Sequence, residues 1–445
     1  MTTLTDKDIN TAAKSLDAAL IPFNARFPGG AGERQPVHTV YGGAHLFKAD
    51  TTRKLGEAAL RFLAEYGGNP TTFARAIALA DDWIAERIYP RVVEKLNREP
   101  VEDFRIDFED GYGNRPDEEE DGHAAVAARE VARGMKESTL PPFIGIRIKP
   151  FTQELTRRSI RTLDIFLTTL TAESGGRLPS GFVVTLPKIQ LAEQVTLLAD
   201  LFDLLEPRLK LAPGSLRLEF MIETTQSIMN AKGESNLPGF LDAARGRAIA
   251  AHFGTYDYTA SSNITASEQR MDHPSCDFAR HMMQVAYAGT GLWLSDGATN
   301  VMPIPPHRGM SLTSEQIAEN FTIVHRAWKL HSDHIRHSLV HAYYQGWDLH
   351  PAQLPTRYAA VYSFFLEGMK LATERLRNFM EKAGQATLAG DVFDDAATGQ
   401  GLLNYFIRGL NSGALTEEEA LATGLTLEEL RSRSFVKILK GRRGG

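Results

Sequence analysis

The sequence has a single cysteine, Cys276, in 445 residues, so no disulfide can close within the chain. Cysteine used this sparingly fits a reducing compartment. No apolar run approaches the ~20 residues that a membrane-spanning helix needs. Residues 1–10 are polar and acidic and lack the charged-then-apolar order of a secretion signal. These absences set the expectation of a cytoplasmic protein with no membrane partner. Positive charge is short too: 49 basic residues face 55 acidic ones, for a net charge of −6. That leaves no basic footprint for nucleic acid. An anionic substrate must then be held locally, by an arginine, a helix N-terminus or a metal ion. Internal repeats and low-complexity tracts are absent, which excludes solenoids and tethering segments.

What the sequence has is a rhythm. Short runs of β-branched and aromatic residues end in polar or glycine-containing loops, and helical patterns follow most of them. Candidate strands lie at 37–47, 104–110, 143–149, 182–188, 216–223, 249–257 and 292–296, with a short one at 347–350. Several are apolar throughout, as in strands buried on both faces of a parallel sheet. Amphipathic helix patterns fall at 53–66, 122–136, 155–172, 191–205 and 276–288. Eight strands alternating with helices predict an α/β fold, a (β/α)8 TIM barrel, with a doubly wound sheet as the other closure of the same alternation. The expected organisation is a helical N-terminal segment at 1–36, a barrel at 37–356 and a C-terminal helical extension at 357–445. Residues 314–344 read as one long helix or a broken pair, and 357–383 and 416–433 as further helices. Thr416 and Thr426, each followed three residues later by glutamate, have the form of capped helix starts. The basic stretch 437–443 reads as a frayed, solvated tail.

A TIM barrel places its active site at the C-terminal ends of its strands. The second run ends in Asp107, Glu109 and Asp110, the third carries Arg147, and the fourth ends in Lys188. The fifth ends in Glu223, and the sixth in Gly254, Thr255 and Asp257. Glu223 and Asp257 lie one β/α unit apart, so adjacent strands would bring them together, and two converging carboxylates suit Mg2+. The plainer reading is that each caps a helix or pairs with a lysine. Arg147 interrupts an apolar run. It serves either to capture a substrate carboxylate with its fork or to form a buried ion pair with Asp107 or Glu109. Lys188 is a Schiff-base candidate or, more plainly, a partner for nearby carboxylates. His331, His334, His337 and His341 form one helical stripe, read as a packing face rather than a zinc site, since no cysteine or HExxH motif accompanies it. The loop from Tyr41 to Lys48 carries Gly42 and Gly43, is neither GxGxxG nor Walker A, and reads as a tight turn.

In this order the motifs resemble a known family. Asp107-Phe-Glu-Asp110, Arg147 in Ile-Arg-Ile-Lys-Pro, Leu186-Pro-Lys188, Ile222-Glu223-Thr, Gly254-Thr-Tyr-Asp257 and His350-Pro-Ala-Gln353 are similar to those of the HpcH/HpaI aldolase, citrate lyase β-subunit and malate synthase superfamily. The resemblance implies a TIM barrel of the phosphoenolpyruvate/pyruvate type and Mg2+, or Mn2+ in its place, on Glu223 and Asp257. It implies a substrate held by Arg147, with Gly254, Thr255 and Lys188 lining the same site. The implied reaction is carbon–carbon lyase, aldolase or Claisen-type synthase chemistry on a small 2-oxo or 2-hydroxy acid, the latter also as its CoA thioester. Asp110 or Glu109 would orient water or act as base. Asp391, Asp394 and Asp395 are further candidates for the base that malate synthases carry C-terminally. A homo-oligomer with a small carboxylate as ligand is the expected assembly. A phosphoenolpyruvate-type phosphoryl-transfer enzyme and a non-catalytic ligand-binding homologue are the two alternatives.

Overall fold

In a computed structural model the chain is described at residues 2–29, 34–381, 387–389, 392–394, 396–432 and 434–443. Eight parallel strands close into a barrel in sequence order. They are β1 (His38–Gly43), β2 (Asp103–Asp107), β3 (Phe143–Arg147), β4 (Phe182–Leu186), β5 (Arg217–Ile222), β6 (Ala248–Phe253), β7 (Trp293–Ala298) and β8 (Gln345–Asp348). The pairing of β1 with β8, Val40 opposite Asp348, excludes the open doubly wound sheet. Asp348 secures that closure. It is buried, 2.6 Å from His38 Nδ1 and 3.0 Å from Arg357 at the start of the helix Leu354–Glu381.

Several strands read as apolar on both faces, yet the bore that the inner faces line is polar. Strand side chains alternate with period two. Phe104 and Ile106 of β2 and Leu218, Phe220 and Ile222 of β5 join the core between sheet and helices. The alternate positions meet across the bore. Arg105 of β2 donates from Nε (2.9 Å) and Nη2 (2.7 Å) to Glu219 of β5, and also pairs with Asp103. Thr39 of β1 donates to Asp103 (2.8 Å), and Gln345 of β8 to Thr39 (2.9 Å). His252 of β6 lies 3.2 Å from Glu219. Such bores are usually filled by branched aliphatic residues; this one is filled by a hydrogen-bonded ionic layer.

Between β1 and β2 lie two helices that sequence pattern does not announce, Pro70–Ala76 and Asp82–Arg98. The second contains Pro90 in its interior, which reads as a breaker. Residues 314–340 form one unbroken helix, Ser314–Val340. The region 416–433 holds two short helices, Glu417–Leu421 and Leu427–Ser432, separated by Gly424 at φ +79°. Both begin with the expected threonine–glutamate exchange of hydrogen bonds. The C-terminal stretch is not a frayed tail: Phe435–Arg443 is a helix with Phe435 and Ile438 buried, and Arg442 pairs with Glu429 at 2.6 Å. No described helix is long and apolar enough to cross a membrane.

Removing Arg105 would strand Asp103 and Glu219 in the bore. Breaking a buried ion network from one side costs about 3–5 kcal/mol, a large part of the roughly 5–15 kcal/mol that holds a typical domain together. Arg105→Met should therefore lower the urea midpoint sharply, whereas an unchanged midpoint would show that the layer is not structural.

Candidate active site

The inner-face parity that points Asp103 and Arg105 into the bore also points Asp107 there, at the C-terminal end of β2. Asp107 holds Arg147, the last residue of β3, by a two-pronged bond: Nε to Oδ1 at 2.7 Å and Nη2 to Oδ2 at 2.5 Å. The same carboxylate accepts the backbone N–H groups of Glu109 (2.9 Å) and Gly111 (2.7 Å), which folds the β2 loop around it. The ion pair, one of the two readings open for Arg147, is thus present, and the fork is filled. Only Nη1 remains, 3.0 Å from Glu109 Oε2 and 3.7 Å from Asp110. The Tyr41 ring lies 4.9 Å from the guanidinium and fixes its plane.

Lys188 sits at the centre. Its Nζ donates to Glu109 Oε1 at 2.5 Å and lies 3.4 Å from both Asp110 and Asp257. Its backbone is left-handed, φ +51°, an uncommon and strained conformation for lysine. A bond from its own N–H to Glu223 Oε1, 2.7 Å, helps to hold it there. Burial works against the ammonium, but Glu223 and Glu109 outweigh it and raise the lysine above its ordinary range. A lysine kept protonated in this way is a poor Schiff-base nucleophile.

Glu223 follows β5 directly and is buried. Gly254 explains how it fits. A Cβ at that position would come within 2.5 Å of Glu223 Cβ and 2.6 Å of its Oε2. The glycine therefore serves close packing against the carboxylate. Asp257 is not on a strand as expected. β6 stops at Phe253, Gly254 leads out, and Asp257 projects from the first turn of the short helix Thr255–Ser261. Thr255 is buried with its hydroxyl against Gly297 of β7, and Oγ1 finds no hydrogen-bond partner among the described residues. The structure thus brings together Glu109, Asp110, Arg147, Lys188, Glu223 and Asp257; Gly254 enters as a spacer and Thr255 faces β7. Beside them opens a cleft of about 540 Å3 whose walls include Glu109, Asp110, Asn114, Lys149 and Lys188. A larger cavity of about 730 Å3 lies at the opposite, N-terminal ends of the strands, by Phe143, Arg217 and Trp293.

Charge within the cluster is unequal. Burial, opposed by Lys188 and reinforced by Asp257, pushes the Glu223 carboxyl up to about 8. Burial also raises Glu109, against the pull of Arg147 and Lys188. For Asp110 the same two cations outweigh burial and hold it below the ordinary carboxylate range. Two further expected motifs are structural. His350-Pro-Ala-Gln353 is a cap: Gln353 Oε1 accepts from the N–H groups of Leu349 (2.8 Å) and His350 (3.1 Å), while its amide donates to the Thr299 carbonyl at 3.0 Å. Gly43 lets the β1 loop pass Gly111, whose carbonyl would lie 2.3 Å from an added Cβ. Asp391 and Asp395 lie outside the described residues, as does the side chain of Asp394.

A family model described as a domain of unknown function, DUF6986, matches residues 16–438. The chain belongs to that family. No curated protein matches it. Among solved structures, a citrate lyase from Burkholderia xenovorans LB400 aligns over 89% of this chain and 97% of its own, with TM-score 0.58 at 17% identity. A malate synthase from Haloferax volcanii aligns over 90% and 96%, with TM-score 0.47 at 13% identity. An HpcH/HpaI aldolase/citrate lyase family protein from Burkholderia cenocepacia J2315 aligns over 80% and 98%, with TM-score 0.39 at 10% identity. The citrate lyase likeness shows that the DUF6986 chain has the barrel fold its motifs imply.

With metal chelated, Glu223 keeps a proton in the folded chain at pH values where the unfolded chain has lost it. Its contribution to stability is full in acid and is lost as pH rises toward about 8. Urea midpoints measured in EDTA should therefore fall with rising pH more steeply for the wild type than for Glu223→Gln. Equal slopes would contradict a raised Glu223.

Proposed function

We propose that this chain is a divalent-metal-dependent enzyme that makes or breaks a carbon–carbon bond beside the carboxylate of a small 2-oxo acid. A 2-hydroxy acid, free or as its CoA thioester, is the same chemistry run in reverse. The observation that carries the reading is the convergence of four acids on Lys188 next to Arg147: Glu109, Asp110 and Asp257 meet its ammonium, and Glu223 accepts its backbone N–H.

The residues present fit a hard cation. The donor set is wholly carboxylate, as Mg2+ and Mn2+ prefer. Glu223 is buried, and a second acid, Asp257, stands close enough to raise its carboxyl further. Glu223 and Asp257 would hold the ion. When bound, it supplies Lewis acidity toward the keto oxygen of the substrate. The protein's own groups do the rest. Asp107 takes the Nε–Nη2 edge of the guanidinium, so Arg147 Nη1, now facing Glu109, is the group left to meet an oxygen that gains charge, as preorganised donors do. Asp110, kept ionised and exposed, is the better placed of the two acids to accept a proton; Glu109 is engaged by Lys188. In the bond-forming direction Asp110 takes the proton α to the acyl carbonyl. The carbanion adds to the keto carbon, and the new alkoxide faces Arg147.

The test is a panel of 2-oxo acids with acyl-CoA partners, 2-hydroxyacyl-CoA thioesters and 4-hydroxy-2-oxo acids, run with Mg2+ and with EDTA, alongside a phosphate-release assay. Turnover should require metal, vanish in Glu223→Ala and Asp257→Ala, and fall about 100- to 1,000-fold in kcat for Arg147→Ala. Activity indifferent to chelation, full activity of either carboxylate variant, or phosphate release in its place would refute the reading.

A further inference from the structure

The helix Pro274–Tyr287 and the helix Ser314–Val340 with its C-cap residue His341 carry three side chains that the proposed reaction does not use. Asp277, His337 and His341 are each partly buried, and one ligand atom from each lies within 4.8 Å of the others. We infer that Asp277, His337 and His341 form a second metal site, distinct from the carboxylate cluster and suited to zinc.

The donor chemistry differs from that of the barrel mouth. Two imidazoles and one carboxylate suit a borderline-soft ion that takes four ligands, whereas the mouth offers carboxylates. His337 and His341 are one helical turn apart, and their ring centres are 4.4 Å apart. His341 Nδ1–H donates to the His337 carbonyl at 2.8 Å, which leaves Nε2 as a lone pair. That backbone bond is the usual way a ligating histidine is oriented. His337 Nε2 lies 2.8 Å from Asp277 Oδ1. Two ligands on one tetrahedral zinc, with bonds of about 2.0–2.1 Å, sit about 3.3 Å apart, so a shift of about half an ångström makes room.

Arg280 is the competing cation. It contacts Asp277, and its Nη2 lies 3.2 Å from His337 Nε2. Its charge is already met by Asp296, through Nη1 at 2.9 and 3.0 Å. One guanidinium against two carboxylates leaves a net negative charge for an incoming ion. His337 Nε2 faces both the Asp277 carboxylate, which only accepts, and this guanidinium, which only donates, so an incoming ion takes the place of the proton shared with Asp277. The exposed His281, with its ring centre 5.6 Å from that of His341, is within reach as a fourth ligand; water is the other. An ion here would pin the two helices together.

The test uses the full chain without a histidine tag, stripped with EDTA and titrated with Zn2+ alone by calorimetry. In Glu223→Ala, which removes a ligand of the barrel-mouth site, one ion should bind with micromolar affinity, and that binding should weaken about tenfold or more when His337→Gln/His341→Gln are added. Co2+ added to the unmutated protein gives a second readout that needs no variant: a visible tetrahedral absorption with nitrogen ligation. Equal zinc binding with and without the two histidine substitutions, no zinc binding by the wild type, or no tetrahedral cobalt spectrum would overturn the assignment.

Discussion

The site depends on one guanidinium that never reaches it. Arg105 sits in the barrel bore and ties β2 to β5 through Glu219 and to its own strand through Asp103. These are the strands that end in Asp107 and Glu223. Because side chains alternate, a residue that faces the bore at position i faces it again at i+2 and i+4. Fixing Arg105 and Glu219 inward therefore fixes Asp107 inward one level higher and Glu223 two levels higher. A one-residue slip of either strand would expose the ionic layer to the apolar helices and turn the site residues away. Burying charge of this kind is costly and does not by itself stabilise. What it provides here is register.

Above that layer the same economy recurs. Asp107 folds the β2 loop with two backbone bonds and clamps Arg147 with its remaining capacity. Glu223 accepts the Lys188 N–H and so stabilises a strained lysine that then draws Glu109, Asp110 and Asp257 together. Gly254 makes room for Glu223. Each group that could do chemistry is held by one that cannot move independently, the condition for a preorganised electrostatic site.

Much of this is legible in the sequence, for a physical reason. In a parallel barrel the strands are apolar runs and the chemistry sits where they end, so Glu109, Asp110, Arg147, Lys188 and Glu223 stand out by position alone. The barrel follows from counting eight such runs. What pattern cannot show is pairing over long separations. Nothing near Arg105 announces Glu219, which is 114 positions away. Nothing near Gly254 announces that it must clear Glu223. Asp257 reads as the end of a strand because Phe253-Gly-Thr-Tyr is β-like locally, yet the chain turns helical after Gly254. Pro90 conceals a helix, and the basic residues near the C-terminus conceal one anchored by Phe435 and Ile438.

The most direct measurement is anomalous diffraction from a crystal of the protein soaked in Mn2+ with a small 2-oxo acid. The expected result is one peak between Glu223 and Asp257, with the Lys188 ammonium moved off Asp257 and an acid oxygen facing Arg147 Nη1. A cluster that binds the acid with no anomalous peak, or a peak that leaves both carboxylates untouched, would contradict it.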